Sequence, residues 1–127
     1  MTGFIVFAHG SRVESANQAV RDVAARMAAS GKHVVEPAFL ELGKPDLAGA
    51  AKRLEADGAS RIIVIPYFLT LGTHLQRDLP KLVRDAASSL GGKIPMEVTS
   101  PLDGHPALLE ALLDRASEAL AGERDRA

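Results

Sequence analysis

The run Phe4-Ile5-Val6-Phe7-Ala8-His9-Gly10-Ser11-Arg12 decides the fold. An apolar stretch of strand length stops at a histidine, a glycine and two hydrogen-bonding residues, and a helical pattern follows at once. Continuous apolar runs are typical of strands buried on both faces of a parallel sheet. In open α/β sheets, ligand chemistry gathers outside the carboxyl ends of such strands. The stretch predicts a first strand that delivers His9 to the working edge of a sheet.

Working outward, Val13, Ala16, Ala19, Val20, Val23, Ala24 and Met27 recur at helical spacing up to Gly31, which predicts a helix over about 13–30. Ser11 and Glu14 have the spacing of a capping box, which would start that helix beside His9. A second strand is expected within His33–Leu42, with Pro37 arguing against a fully paired central position. Pro45 reads as the first residue of a helix over about 45–57, closed by Asp57-Gly58. Arg61-Ile62-Ile63-Val64-Ile65-Pro66 is β-branched and unbroken, the clearest strand in the chain. Thr73 and Gln76 repeat the capping-box spacing before a helix over about 74–89, in which Pro80 predicts a kink or a restart. Pro95–Thr99 is a short fourth strand, and Pro106 opens a last helix carrying Leu108, Leu109, Leu112, Leu113, Ala116 and Leu120. Residues 1–122 thus form one domain, with 123–127 expected to fray.

The alternation of strands and helices with short connections implies an α/β domain of three layers. Its sheet is expected to be four-stranded, parallel and flavodoxin-like, in the order 2-1-3-4. Acidic and basic residues nearly cancel, 16 against 15, without a basic block, so the overall field suggests neither nucleic acid nor a membrane surface as partner. The absence of cysteine excludes a disulfide framework, a thiol nucleophile and thiolate metal ligation, and leaves nitrogen and oxygen as the possible ligands. With no signal-peptide pattern or apolar run of spanning length, the expected location is the cytoplasm.

The topology sorts the histidines. His9 follows the first strand, Glu41 the second and His74 the third, so all three belong at the carboxyl edge, whereas His33 starts a strand at the opposite edge. His105 lies further from the switch point between the first and third strands. Two imidazoles and a carboxylate suit a divalent first-row metal, and they equally suit proton transfer. Two helix N-termini nearby, with Ser11 and Arg12, suit an anionic ligand, while Lys44 and Arg77 read as solvated charges. Phe39, Tyr67 and Phe68 could wall a flat apolar ligand or simply belong to the core.

Three motifs in order resemble the short CbiX-type sirohydrochlorin chelatases. They are Phe7-Ala8-His9-Gly10-Ser11-Arg12, then Ala38-Phe39-Leu40-Glu41-Leu42 with Pro45, then Val64-Ile65-Pro66-Tyr67-Phe68-Leu69 with Gly72-Thr73-His74 and Asp78-Leu79-Pro80. The resemblance covers about residues 4–106. It implies a class II chelatase fold and insertion of a divalent metal, cobalt, iron or nickel, into sirohydrochlorin on the way to cobalamin, siroheme or the methanogen nickel tetrapyrrole. The metal is substrate, and no permanently bound cofactor is implied. By the same resemblance His9 and His74 are the metal-binding histidines and Glu41 the acidic residue of the site. The macrocycle's carboxylates would meet Arg12, the Ser11 backbone and the start of the third helix around Gly72 and Thr73. Because longer relatives carry two such domains, a single copy implies a homodimer.

Two other readings compete. A tetrapyrrole or metal carrier would use the same pocket without turnover. A histidine-type phosphohydrolase also has a His-Gly after its first strand, but with an arginine directly before the histidine, where this chain has Ala8. Neither a G-x-S-x-G elbow nor a G-x-x-x-x-G-K-[ST] phosphate loop occurs.

Overall fold

The first strand, β1 (Thr2–Ala8), is buried from Ile5 to Ala8, as its unbroken apolar sequence requires. The computed structural model of the chain describes residues 1–126, with side chains as far as Gly122. Seven further elements follow: α1 (Glu14–Gly31), β2 (Val34–Phe39), α2 (Leu47–Ala56), β3 (Arg61–Pro66), α3 (Thr73–Ser89), β4 (Met96–Val98) and α4 (Pro106–Arg126). All strand pairs are parallel, and the sheet order is β2-β1-β3-β4, the doubly wound order expected from the sequence. The expectation of a frayed tail falls on residues 123–127, whose side chains lie outside those described.

Alternate residues of each strand feed opposite cores. Ile5, Phe7, Ile62 and Val64 pack under Leu47, Ala50, Ala51 and Leu54 of α2 and under Leu79, Val83 and Ala86 of α3. Val6, Ala8 and Phe39 face the other way, against Val20 and Ala24 of α1. Pro37 is tolerated because β2 is an edge strand, where the missing N–H faces no neighbour. No helix is long and apolar enough to cross a membrane, among the described residues.

The helix starts differ from the sequence reading, each for a local reason. Ser11 does not cap α1: its hydroxyl accepts from the N–H of Val13 at 3.0 Å, and Val13 stands at the N-cap without a side-chain bond. Glu14 does not reach back either. It pairs with Arg21, whose hydrogen bond holds the Glu14 carboxyl below its usual pKa. Pro45 is not helical, because Asp46 takes the cap and accepts from the N–H of Gly49 at 2.8 Å. That leaves the Pro45 carbonyl free to accept from the N–H of Phe39 at 2.9 Å, tying the loop back to β2. In α3 Gly72 is the N-cap and Thr73 is already helical, so the second capping box does not form. The helix continues through Pro80 without a restart, held by its buried Leu79, Val83 and Ala86.

Candidate active site at the carboxyl edge

Beyond the last ladder residues, β1 and β2 stay joined. The Ala8 carbonyl accepts from the N–H of Leu40 at 2.9 Å, and the His9 carbonyl accepts from that of Glu41 at 3.0 Å. This extension sets His9 beside Glu41, with Nε2 3.7 Å from Oε1. Both side chains are more than half exposed, 56% and 57%, so solvent screens their attraction and leaves both open to a ligand. Gly10 turns the chain immediately afterwards at φ +96°, with the Glu41 carbonyl lying where a Cβ would be.

His74 arrives from the first turn of α3. Its Nδ1 lies 3.1 Å from a terminal nitrogen of Arg77, and since a guanidinium can only donate, Nδ1 is the acceptor. His9 and His74 line the same groove of about 300 Å³, floored by Leu40, Leu75 and Leu82 and bordered by Asp78. The structure therefore brings His9 and Glu41 into contact and puts His74 on the same leucine-lined groove as His9, while Glu41 is not part of that groove's lining. No cluster of three or more His, Asp or Glu side chains closes around a metal position among the described residues.

The candidate substrate contacts divide. Arg12 is exposed and makes no hydrogen bond or ion pair among the described residues. The Ser11 N–H is already committed to Asn17, which leaves the hydroxyl proton as its free donor. Gly72 and Thr73 open α3 without a side-chain cap, so the N–H groups of that turn are available. Tyr67 and Phe68 share a cavity wall with Leu69, Leu102 and Leu108, and Phe68 meets the His9 ring edge-on at 6.5 Å between centroids. Phe39 is fully buried in the α1-side core beneath Arg21, whereas Leu40 and Leu82 of the groove pack on the α2 and α3 side, so Phe39 does not wall the groove that His9 and His74 line. His33 packs at a tilt against Phe4 away from this edge, and the His105 ring accepts from the N–H of Ala107 at the start of α4.

One residue of the site was not singled out from the sequence. Asn17 is 1% exposed and makes three hydrogen bonds of 2.9 Å: it accepts from the Ser11 N–H and donates to the carbonyls of Ser11 and Leu42. It thus clamps the loop after His9 to the loop carrying Glu41. Leu42 adopts φ +58°, an unfavourable conformation for a leucine, and Asn17 holds its carbonyl there. The available signal was an amide on the buried stripe Asn17-Val20-Ala24, otherwise apolar. Asn17→Ala strands one N–H and two carbonyls and is expected to destabilise the protein by about 2–4 kcal/mol in urea unfolding. A loss under about 0.5 kcal/mol would mean that the loops are held by their own backbone bonds.

Residues 3–119 match the model of the CbiX family, and the chain belongs to that family. It is similar to the chloroplastic sirohydrochlorin ferrochelatase of Arabidopsis thaliana, 36% identical over 120 residues that make up 94% of this chain and 53% of that protein. The sirohydrochlorin cobaltochelatase of Methanopyrus kandleri is 29% identical over 97% of this chain and 100% of its own length. Among solved structures, the sirohydrochlorin chelatase SirB from Bacillus subtilis subspecies spizizenii in complex with cobalt superposes with a TM-score of 0.83 at 26% identity, over 92% of this chain and 50% of that one. The chain spans about half the length of the Arabidopsis and Bacillus proteins and all of the archaeal one.

Proposed function

We propose that this protein inserts a divalent metal into sirohydrochlorin without nucleotide hydrolysis, in the cytoplasm and as a homodimer, with cobalt as the first candidate metal and iron and nickel as alternatives. The observation that carries the reading is the groove itself. Two histidines face it across a floor of leucines, and a carboxylate stands against one of them. An apolar floor suits a flat macrocycle, and imidazoles at its margin suit a first-row ion taken from water.

Insertion exchanges the two pyrrole N–H protons of the free macrocycle for one divalent ion and releases two protons. His9 and His74, as neutral imidazoles, receive the ion weakly enough to give it up and accept the departing protons. Glu41, beside His9 Nε2, completes the metal's path or relays a proton outward. Arg77 occupies His74 Nδ1 by a hydrogen bond and must swing aside for that nitrogen to bind the ion. The peripheral carboxylates of the macrocycle are met by Arg12, the Ser11 hydroxyl and the uncapped first turn of α3 at Gly72 and Thr73.

The relatives named above support the same substrate, and their two metals, iron and cobalt, keep both in contention. The test is to incubate the purified protein with sirohydrochlorin and Co²⁺ or Fe²⁺ and follow the absorption spectrum. Many turnovers per protein are expected; stoichiometric binding alone would favour the carrier, and phosphate release from a model ester the phosphohydrolase. Arg12→Ala is expected to raise the apparent KM for the macrocycle about tenfold, the loss of one charge-assisted contact, with kcat nearly unchanged. An unaltered KM removes Arg12 from the site.

A further inference from the structure

The two histidines of the groove are not prepared alike. His9 Nδ1 lies 3.3 Å from the Gly10 carbonyl oxygen, which can only accept, so Nδ1 carries the ring proton and Nε2 the lone pair. That lone pair faces the Glu41 carboxylate, with Oε1 at 3.7 Å. His9 is thus set to take a cation between its Nε2 and a carboxylate oxygen.

His74 is set against one. A neutral imidazole offers a single lone pair. In His74 it lies on Nδ1 and accepts from Arg77 at 3.1 Å, which leaves the ring proton on Nε2 and neither nitrogen open to a metal. Moving the proton to Nδ1 gives no escape while Arg77 stays, because that N–H would point at a guanidinium N–H. The positive charge of the guanidinium also opposes a cation beside it.

Arg77 is free to leave this contact. Its side chain is 70% exposed, and its other partner is the Asp78 carboxylate, a loose ion pair of 3.6 Å at the border of the groove. Arg77 also stands one helical turn after Thr73, on the side of α3 where the first turn has no side-chain cap. An anion held at that turn comes within reach of the guanidinium, which grips a carboxylate through two N–H groups, whereas the imidazole takes only one.

We propose that Arg77 is a positioning residue that locks His74 in the free protein and is drawn off by a carboxylate of the arriving macrocycle. The second histidine then accepts the ion only when the ion's destination is in place. This rests on the insertion reading above and gives it an order, macrocycle before full metal binding. Until Arg77 moves, an ion is held through His9 and Glu41 alone, and the apparent affinity falls with the fraction of molecules in which His74 is unlocked. By linkage, macrocycle and metal each tighten the binding of the other.

Calorimetric titration of the full chain with Co²⁺ alone is expected to show Arg77→Met binding about tenfold more tightly than the parent, the weight of one charge-assisted hydrogen bond. Arg84→Met removes an exposed arginine two turns further along α3 and should match the parent. H74A and H74A/R77M should bind alike. Equal affinities of R77M and parent overturn the lock. So does a gain that survives without His74 or appears in R84M, since either is a plain effect of charge. The release is read from the His74 ring nitrogens by NMR on adding metal-free sirohydrochlorin. Nδ1 should move toward an unbonded lone pair in the parent and by clearly less in R77M, where only the nearness of the macrocycle acts. An equal shift in the two proteins, or none, overturns the release. None of these readouts needs turnover. Failure of the insertion assay while they hold removes the chelatase reading and leaves the lock standing, whereas turnover with equal Co²⁺ affinities does the reverse.

Discussion

Gly10→Ala is expected to destabilise the protein by at least about 3 kcal/mol and to abolish the proposed metal insertion. A Cβ built on Gly10 would lie 1.7 Å from the carbonyl oxygen of Glu41 and 2.9 Å from its carbon, at a φ of +96° that side-chain-bearing residues rarely adopt. The obstacle is backbone, which cannot rotate aside as a side chain can. That backbone is held by the Leu40 and Glu41 N–H bonds to Ala8 and His9 and by Asn17 on the Leu42 carbonyl. The clash is relieved only by separating the two loops, and separation removes His9 from Glu41. Gly72→Ala is the control: φ is −66° and the Cβ would meet open space, so unfolding should change by less than about 0.5 kcal/mol. Urea unfolding of both variants checks the contrast. Equal stabilities would mean that the loops part without cost.

The parts of the fold that were legible are those in which local pattern and burial agree. Arg61–Pro66 is a strand at the boundaries its β-branched run suggests, and the strand order follows from short connections and the handedness of parallel crossovers. Helix starts were less legible because a capping box is a statement about which partner a side chain finds. Ser11 and Glu14 have the right spacing, but Ser11 engages Val13 and Asn17, and Glu14 engages Arg21. Pro45 could not be placed without the long-range bond from Phe39 that uses its carbonyl. The leucines of α4 were legible as residues of a helix but not as exposed ones, since periodicity reports that a face is apolar and says nothing of which surface covers it.

The site divides along the same line. Placing His9, Glu41 and His74 at one edge needed only the topology, and the structure sets His9 against Glu41 with His74 on the same groove. Asn17 escaped notice because its role lies in binding two backbone segments distant in sequence, Ser11 and Leu42. Phe68 rather than Phe39 meets the histidine ring. Phe39 ends a strand whose alternation turns it into the α1-side core, whereas Phe68 lies beyond β3 and is free of that alternation.

His9→Ala and His74→Ala are each expected to lower kcat for metal insertion by at least about 100-fold, the scale of losing a positioned proton acceptor. Stability should barely move. His9 is 56% exposed and its contact with Glu41 is an open surface pair of 3.7 Å, while His74 occupies an exposed first-turn position that alanine suits. Thermal unfolding within a few degrees of the parent, together with lost turnover, separates this outcome from a folding defect. The double variant carries the sharper test. If both imidazoles serve one ion on one path, removing the first already breaks the path, and removing the second adds little. H9A/H74A should therefore be about as slow as the slower single variant. Losses that multiply would mean that the two histidines act in independent steps, one receiving the ion and the other taking a proton. Full activity in either single variant would remove that residue from the mechanism and leave the groove, with its leucine floor and Arg12, as a binding site for a flat anionic ligand.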